Sequence, residues 1–546
     1  MNYGTPKEMM PMSSEQKQIQ ILDSTLRDGA QAEGISFSVA DKLKITAALD
    51  QLGVSYIEAG NPGSNPKDLE FFARASELEL KNAKLTAFGS TRRKNTAVWE
   101  DRNVKSLLAA NTPVVTIFGK SWDFHVTDIL QTTLEENLNM IRETLQFFKD
   151  QGKEVIYDAE HFFDGYKANP EYALQTLQAA VEGGAGVLVL CDTNGGAFPE
   201  EVSSITKLVV ERFAGSGAAI GIHTHNDGGL AVANSIMAVQ AGAVHVQGTI
   251  NGFGERCGNA NLCTIIPNLQ LKAGYACIPP EQMQTLTLTA RTIAEIANVQ
   301  FNERDPYVGR SAFAHKGGMH IDGVNKASRS FEHIAPELVG NERRLLMSEV
   351  AGRSTILAKL QAVDPTLTKD SPVAEELVTK LKELEYEGYQ FEGAESSFRL
   401  LVRKHLGKYR PFFKLHYFRI IGNSNVNGSC SSSAMVKLEV DGREEITAAD
   451  GAGPVHALDR ALRKALEVFY PELKKVHLTD YKVRVLDTKT ATAAKVRVLI
   501  ESTDGTDSWT TVGVSTDIIE ASWMALVDSM EHKLLKDMEE KLRIYL

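Results

Sequence analysis

The segment His223-Thr224-His225 carries two imidazoles two residues apart at the end of an apolar run. In an extended strand residues i and i+2 point to the same side, so both rings enter one space, and a first-row divalent cation accepts such a pair readily. Two histidines satisfied independently beside a loop would look the same, and two ligands do not complete a site. Far earlier in the chain, LDSTLRDG puts Arg27 and Asp28 just beyond another apolar run. A carboxylate there neutralises a divalent ion, and the adjacent guanidinium offers a fixed fork of donors to a carbonyl or carboxylate held on it. An Arg-Asp-Gly triplet is also an ordinary turn. NGFGERCGNAN, residues 251–261, has glycines at 252, 254 and 258. Its last gap is one residue too long for G-x-G-x-x-G, which argues against a dinucleotide site. The glycines let the backbone approach a ligand, and Asn259 offers a neutral oxygen to a cation. Glu160 and Thr193 follow two further apolar runs, as substrate contacts or as scaffolding. His315 and His320 lie five apart in a glycine-rich loop, 313–324, a poor spacing for joint chelation that leaves one of them as a catalytic candidate.

These residues can act together only if the fold brings them to one place. From residue 20 to about 274 a β-branched or apolar run, a polar or glycine-rich loop and an amphipathic stretch recur in turn, which is the βαβ signature. The runs at 19–23, 54–59, 84–88, 114–118, 154–158, 187–192, 220–225 and 244–250 read as strands. Eight units in a row predict a (β/α)8 TIM barrel. Nearly every run ends in residues costly to bury: Asp23, Glu58, Lys120, Glu160, Asp192 and the histidine pair among them. In a barrel these C-terminal ends converge on one face, where such enzymes carry their sites. A doubly wound sheet, the alternative, would use a single switch point.

Beyond the barrel, 280–416 reads as a mainly helical linker region and 417–546 as an α+β unit, with residues 1–18 as an N-terminal tail. SNVNGSCSSS, 424–433, looks polar and flexible, and no solenoid-period repeat is visible. The net charge of -11 over 546 residues gives no broad footprint for nucleic acid or an acidic membrane. Anions must then be held locally, by Arg27, Arg92, Arg93, Lys120, Arg256 and Lys316 if these gather at the barrel mouth. Five cysteines without C-x-x-C spacing suit a reducing cytoplasm, and neither an apolar leader nor a membrane-length apolar stretch is expected.

LDSTLRDGAQ, HTHND and NGFGERCGNAN in that order resemble the metal-dependent Claisen-condensing barrel enzymes, the family of α-isopropylmalate, homocitrate and citramalate synthases. FAHKGGMHIDGV looks like that family's loop after the barrel, and DGAGPVHALDRAL like its regulatory domain. EAGNPGSNPKDLEFF, FGKSWDFHV and YDAEHFFDGYKANP look most like the citramalate branch. The resemblance implies Asp28, His223 and His225 as ligands of a divalent cation (Mg, Mn or Zn), with Asn259 a fourth. It implies Arg27 on the keto oxygen, Glu160 and Thr193 at the substrate, and His320 as a base toward acetyl-CoA. It further implies pyruvate as acceptor, isoleucine as effector of a regulatory domain at 417–546, and a homodimer or larger homo-oligomer. A sister synthase using another 2-oxo acid, a lyase on the same barrel, and a non-catalytic amino-acid sensor are the alternatives. Where many isopropylmalate synthases have a tyrosine after a Val-Gly pair, Val339-Gly340 here is followed by Asn341, Glu342 and Arg343.

Overall fold

The eight apolar runs become eight parallel strands: β1 (Gln20–Asp23), β2 (Tyr56–Glu58), β3 (Lys84–Ser90), β4 (Val114–Lys120), β5 (Glu154–Glu160), β6 (Val187–Asp192), β7 (Ala219–Thr224) and β8 (His245–Gly248). β1 pairs with β2 on one side and with β8 on the other, so the sheet closes into a barrel in chain order. This computed structural model describes residues 16–346, 360–361, 367–368, 371–424, 430–486, 494–505 and 507–544. The expected tail at 1–18 falls largely outside them. The chain divides into two units, Met1–Ala314 with Glu332–Arg344, and His315–Phe331 with Leu345–Leu546.

Alternation along the strands decides what points into the barrel. On β6, Val187, Val189 and Cys191 pack inside with Leu22, Tyr56, Val114 and Ile156, while Leu188 and Leu190 belong to the layer under the helices. The same parity carries Asp158 and Glu160 on β5, His223 on β7 and Gln247 on β8 inward. β4 and β5 run two residues past their expected ends, so Lys120 and Glu160 are partners within the ladder rather than loop residues. Side-chain caps start the helices that hold this register. Ser38 and Asp41 form a capping box before Val39–Leu52, Asn65 precedes Pro66–Ala75, and Thr133 caps Leu134–Asp150.

In the second unit the expected loop 313–324 is helical from Gly318, in Gly318–Lys326. Gly323 makes that helix possible where it lies, because a Cβ there would collide with the Phe331 ring. Helices Pro372–Glu387 and Glu395–His405 follow. The C-terminal part repeats one arrangement twice. Strands Lys414–Ser424, Cys430–Val440 and Arg443–Gly451 form an antiparallel sheet followed by helix Pro454–Leu466, and His477–Val485, Val496–Thr503 and Ser508–Ser515 form another followed by helix Ile518–Ile544. Both sheets and both helices share a core containing Val436, Leu462, Ile500 and Leu526. The flexible stretch expected at 424–433 is corrected in part: residues 430–433 form a strand, paired antiparallel with 421–424, because the hairpin ladder satisfies their backbone groups. Residues 425–429 lie outside the described residues. Among the described residues no helix is long and apolar enough to cross a membrane.

Candidate active site

Asp28 follows β1, His223 stands on β7, and His225 lies just past the end of β7. One ligand atom from each falls within 4.8 Å of the others. Asp28 Oδ2 is 3.5 Å from His223 Nε2 and 3.8 Å from His225 Nε2. The loop after β8 delivers Asn259. Its backbone is tied to the end of β7, with Asn226 N donating to Gly258 O and Ala260 N to Thr224 O, which sets Asn259 opposite His225. A Cβ at Gly254 would strike the Asn259 amide, and Gly258 sits at φ +87 against the carbonyl of Gly252. These two glycines therefore admit Asn259 and the loop's own backbone.

The donor set fits a divalent cation. It combines one carboxylate, two imidazoles and a buried amide oxygen, Asn259 Oδ1, that has no hydrogen-bond partner among the described residues. Its electrostatics fit as well. Burial pushes the Asp28 pKa up, but Arg27, then His223 and His225, outweigh it and hold the carboxyl at about 2. Burial lowers both imidazoles, His225 to about 4, so each is neutral and free to coordinate near pH 7.

Arg27 is fixed from three sides. Nε donates to Glu58 Oε1 at 2.6 Å, Nη1 lies 3.2 Å from Asp28 Oδ2, and the guanidinium carbon sits 3.6 Å from the Phe88 ring centroid. Ser24 Oγ donates to the same Glu58 oxygen at 2.6 Å. Phe88 stacks on Phe118 with centroids 5.1 Å apart and planes 16° apart. Arg27, Asp28, His223 and His225 line a cavity of about 300 Å³ together with Phe88, Phe118, Asp158, Glu160, Cys191, Thr193 and Arg256. Glu160 is ion-paired with Lys120, and Thr193 Oγ1 accepts the His161 backbone N–H at 2.9 Å. His320 is in the second unit, exposed, with its ring stacked on Phe331 at 4.1 Å.

The basic residues expected at the mouth are mostly neutralised where they stand. Arg92 is paired with Glu136 and Glu143, Lys120 with Glu160, and Arg256 with Asp227. Arg256 also donates to the Thr193 carbonyl at 2.8 Å and so ties the loops after β6, β7 and β8 together. Of these barrel cations only Arg93 lacks a carboxylate partner among the described residues. Sequence reasoning gave no role to Phe88, Phe118, Asp158 or Gln247, and placed Glu58 only as a strand-end residue. Counting in twos back from Glu160 reaches Asp158. That period was the available signal.

Comparison with known proteins agrees with this architecture. The HMGL-like family matches residues 18–297, the homocitrate synthase post-HMGL domain-like family 307–388, and the LeuA allosteric (dimerisation) domain 392–534. An (R)-citramalate synthase of Aquifex aeolicus is 57% identical over 96% of this chain and 99% of its own. One from Synechocystis is 52% identical over 96% and 97%. A probable 2-isopropylmalate synthase of Methanopyrus kandleri is 32% identical over 93% and 97%. With the barrel complete and the similarity running nearly end to end, the chain belongs to the HMGL-like enzymes and, within them, to the (R)-citramalate synthase family.

Proposed function

We propose that this protein condenses acetyl-CoA with pyruvate and water to give (R)-citramalate and CoA, with Asp28, His223, His225 and Asn259 holding a divalent cation. One observation carries the reading: the Asp28, His223 and His225 cluster opens, beside Arg27, into a cavity of about 300 Å³ walled by two stacked phenylalanines. A bound divalent cation would orient a 2-oxo acid and draw electron density from its ketone carbon. Arg27, locked by Glu58 and Phe88, presents its guanidinium to the oxygen on which negative charge grows as the new C–C bond forms. Phe88 and Phe118 limit the acceptor's side chain, which favours the methyl of pyruvate over a branched chain. Glu160, held by Lys120, and Thr193 complete the substrate surface. By the motif it shares with the family, we assign to His320 the removal of a methyl proton from acetyl-CoA; hydrolysis of the thioester then releases CoA and makes the condensation effectively irreversible. The test is CoA release by the metal-loaded protein against a panel of 2-oxo acids. Pyruvate is expected to be fastest, and a clear preference for 2-oxoisovalerate or 2-oxoglutarate overturns the assignment.

We also propose that the protein forms homodimers and that its C-terminal domain senses isoleucine, the end product of a route that citramalate feeds. The match to an allosteric domain supports a regulatory role, and helix Pro454–Leu466 starts at Gly453 without a side-chain cap, leaving backbone N–H groups for a carboxylate. Calorimetry with full-length protein that detects no branched-chain amino acid binding removes the effector and leaves dimerisation.

A further inference from the structure

His223 can serve a cation only through a bare Nε2, and something must keep the proton on its other nitrogen. The register of the closed barrel supplies it. His223 on β7 is the ladder partner of Gln247 on β8, and His223 Nδ1 lies 2.9 Å from Gln247 Oε1. At its far end the same amide donates from Nε2 to Asp158 Oδ1 on β5, at 2.8 Å. All three residues are buried, with Gln247 at 0% exposure. Resting on the reading of His223 as a metal ligand, we propose that Asp158, which shares no hydrogen bond or ion pair with the four metal-binding side chains, acts through Gln247 as a positioning residue that sets the His223 tautomer and with it the protein's affinity for the cation.

Hydrogen-bond direction carries the argument. Asp158 Oδ1 accepts from Gln247 Nε2, which turns the amide's NH2 toward Asp158 and its carbonyl toward His223. A carbonyl only accepts, so His223 Nδ1 must bear the hydrogen. The lone pair is then on Nε2, the atom that faces Asp28 Oδ2 at 3.5 Å. Reversing the amide would put an N–H against Nδ1, move the imidazole proton to Nε2 and block coordination. Asp158 prevents that reversal from across the barrel. It also lines the substrate cavity, so one carboxylate faces the acceptor and the chain that sets a ligand. Partners of this kind behind a metal-binding imidazole are worth roughly 10- to 100-fold in affinity.

The test is Mn²⁺ binding to full-length, metal-free protein by calorimetry, in wild type, Asp158→Leu, Asp158→Asn, Gln247→Leu and the double variant Asp158→Leu/Gln247→Leu. Asp158→Leu is expected to weaken binding about 10-fold or more. Asp158→Asn, which can still offer an acceptor oxygen, should stay near wild type. The double variant should lose no more than Gln247→Leu alone, because the aspartate's effect passes through the glutamine. Independent, additive losses, or wild-type affinity in Asp158→Leu, overturn the proposal. If Asp158→Leu does not fold, 15N-histidine-labelled wild-type protein decides it. Two-bond 1H–15N correlations, assigned by loss in His223→Asn, should show the proton on Nδ1, and a proton on Nε2 overturns the proposal. Failure of the metal reading itself would look different, since wild type would then bind no Mn²⁺ and His223→Asn would change nothing.

Discussion

Replacing Arg27 by Gln should cause two separable losses. Its guanidinium lies 2.6 Å from Glu58 and 3.2 Å from Asp28, whose side chains are 0% and 4% exposed. Removing the cation leaves both carboxylates where water does not reach, and breaking a buried pair from one side costs about 3 to 5 kcal/mol. Against a net stability of about 5 to 15 kcal/mol that is a large share. Adding Glu58→Gln removes one of the two orphaned charges and should recover part of the loss, since the new amide oxygen can still accept from Ser24 Oγ, now 2.6 Å from Glu58 Oε1. Turnover should not recover with it. Without a cation beside the developing oxyanion, kcat is expected to stay lower by about 10² to 10³ in single and double variants alike. Urea unfolding of the metal-free protein measures the first effect, and CoA release at saturating cation and pyruvate the second. A single variant within about 1 kcal/mol of wild type, the worth of an exposed pair, refutes the packing argument. A double variant whose turnover returns together with its stability refutes the catalytic one.

Three further outcomes follow from the same geometry. His225→Ala should lower cation content and turnover together. In metal-free wild type, the depressed His225 pKa means the unfolded chain takes up a proton first as the pH falls, so stability present above pH 6.5 should be lost progressively toward pH 4 and less so in the variant, as unfolding midpoints across that window would show. Phe118→Ala should enlarge the cavity and cut the preference for pyruvate over 2-oxobutyrate by about 10-fold or more, read as a ratio of kcat/KM values; an unchanged ratio removes Phe118 from acceptor selection. In the C-terminal unit, burial raises the Glu531 pKa from 4.5 to about 7, and its Oε2 has no partner among the described residues. The folded state therefore holds this proton more tightly, and stability is lost as the pH rises from 4.5 through 7. Glu531→Gln should stabilise that unit at pH 8 by up to about 3 kcal/mol and add nothing at pH 4.5, with equal gains at both values counting against it.

Eight apolar runs alternating with amphipathic stretches made the barrel legible, and period two placed His223 and His225 on one side, because in a strand buried on both faces a polar residue at the C-terminal end stands out against the apolar run before it. Asp28 and Arg27 were visible for the same reason. Their partners were not, since partnership in a closed sheet is set by register, which no single strand contains. Lys120 meets Glu160, and His223 meets Gln247, only because β4 aligns with β5 and β7 with β8 as they do. A slip of one residue between β7 and β8 would place Val246 or Gly248 opposite His223 and leave the imidazole proton unfixed. The same ignorance of partners explains the misjudged mouth. Arg92 and Arg256 were counted as free cations because Glu136, Glu143 and Asp227 lie 29 to 51 positions away in the chain. Composition supplied the right residue types for anion binding, and the fold spent most of them on carboxylates of its own. On the function proposed above, anionic substrates would be held by the deeply placed Arg27 and by a cation bound at Asp28, His223 and His225, rather than by a field of surface charge. Raising the ionic strength should accordingly weaken pyruvate binding little, because a buried contact is screened far less than a surface field. A KM for pyruvate that climbs steeply between 0.05 and 0.5 M salt, at saturating cation, would instead show that exposed charges such as Arg93 gather the substrate.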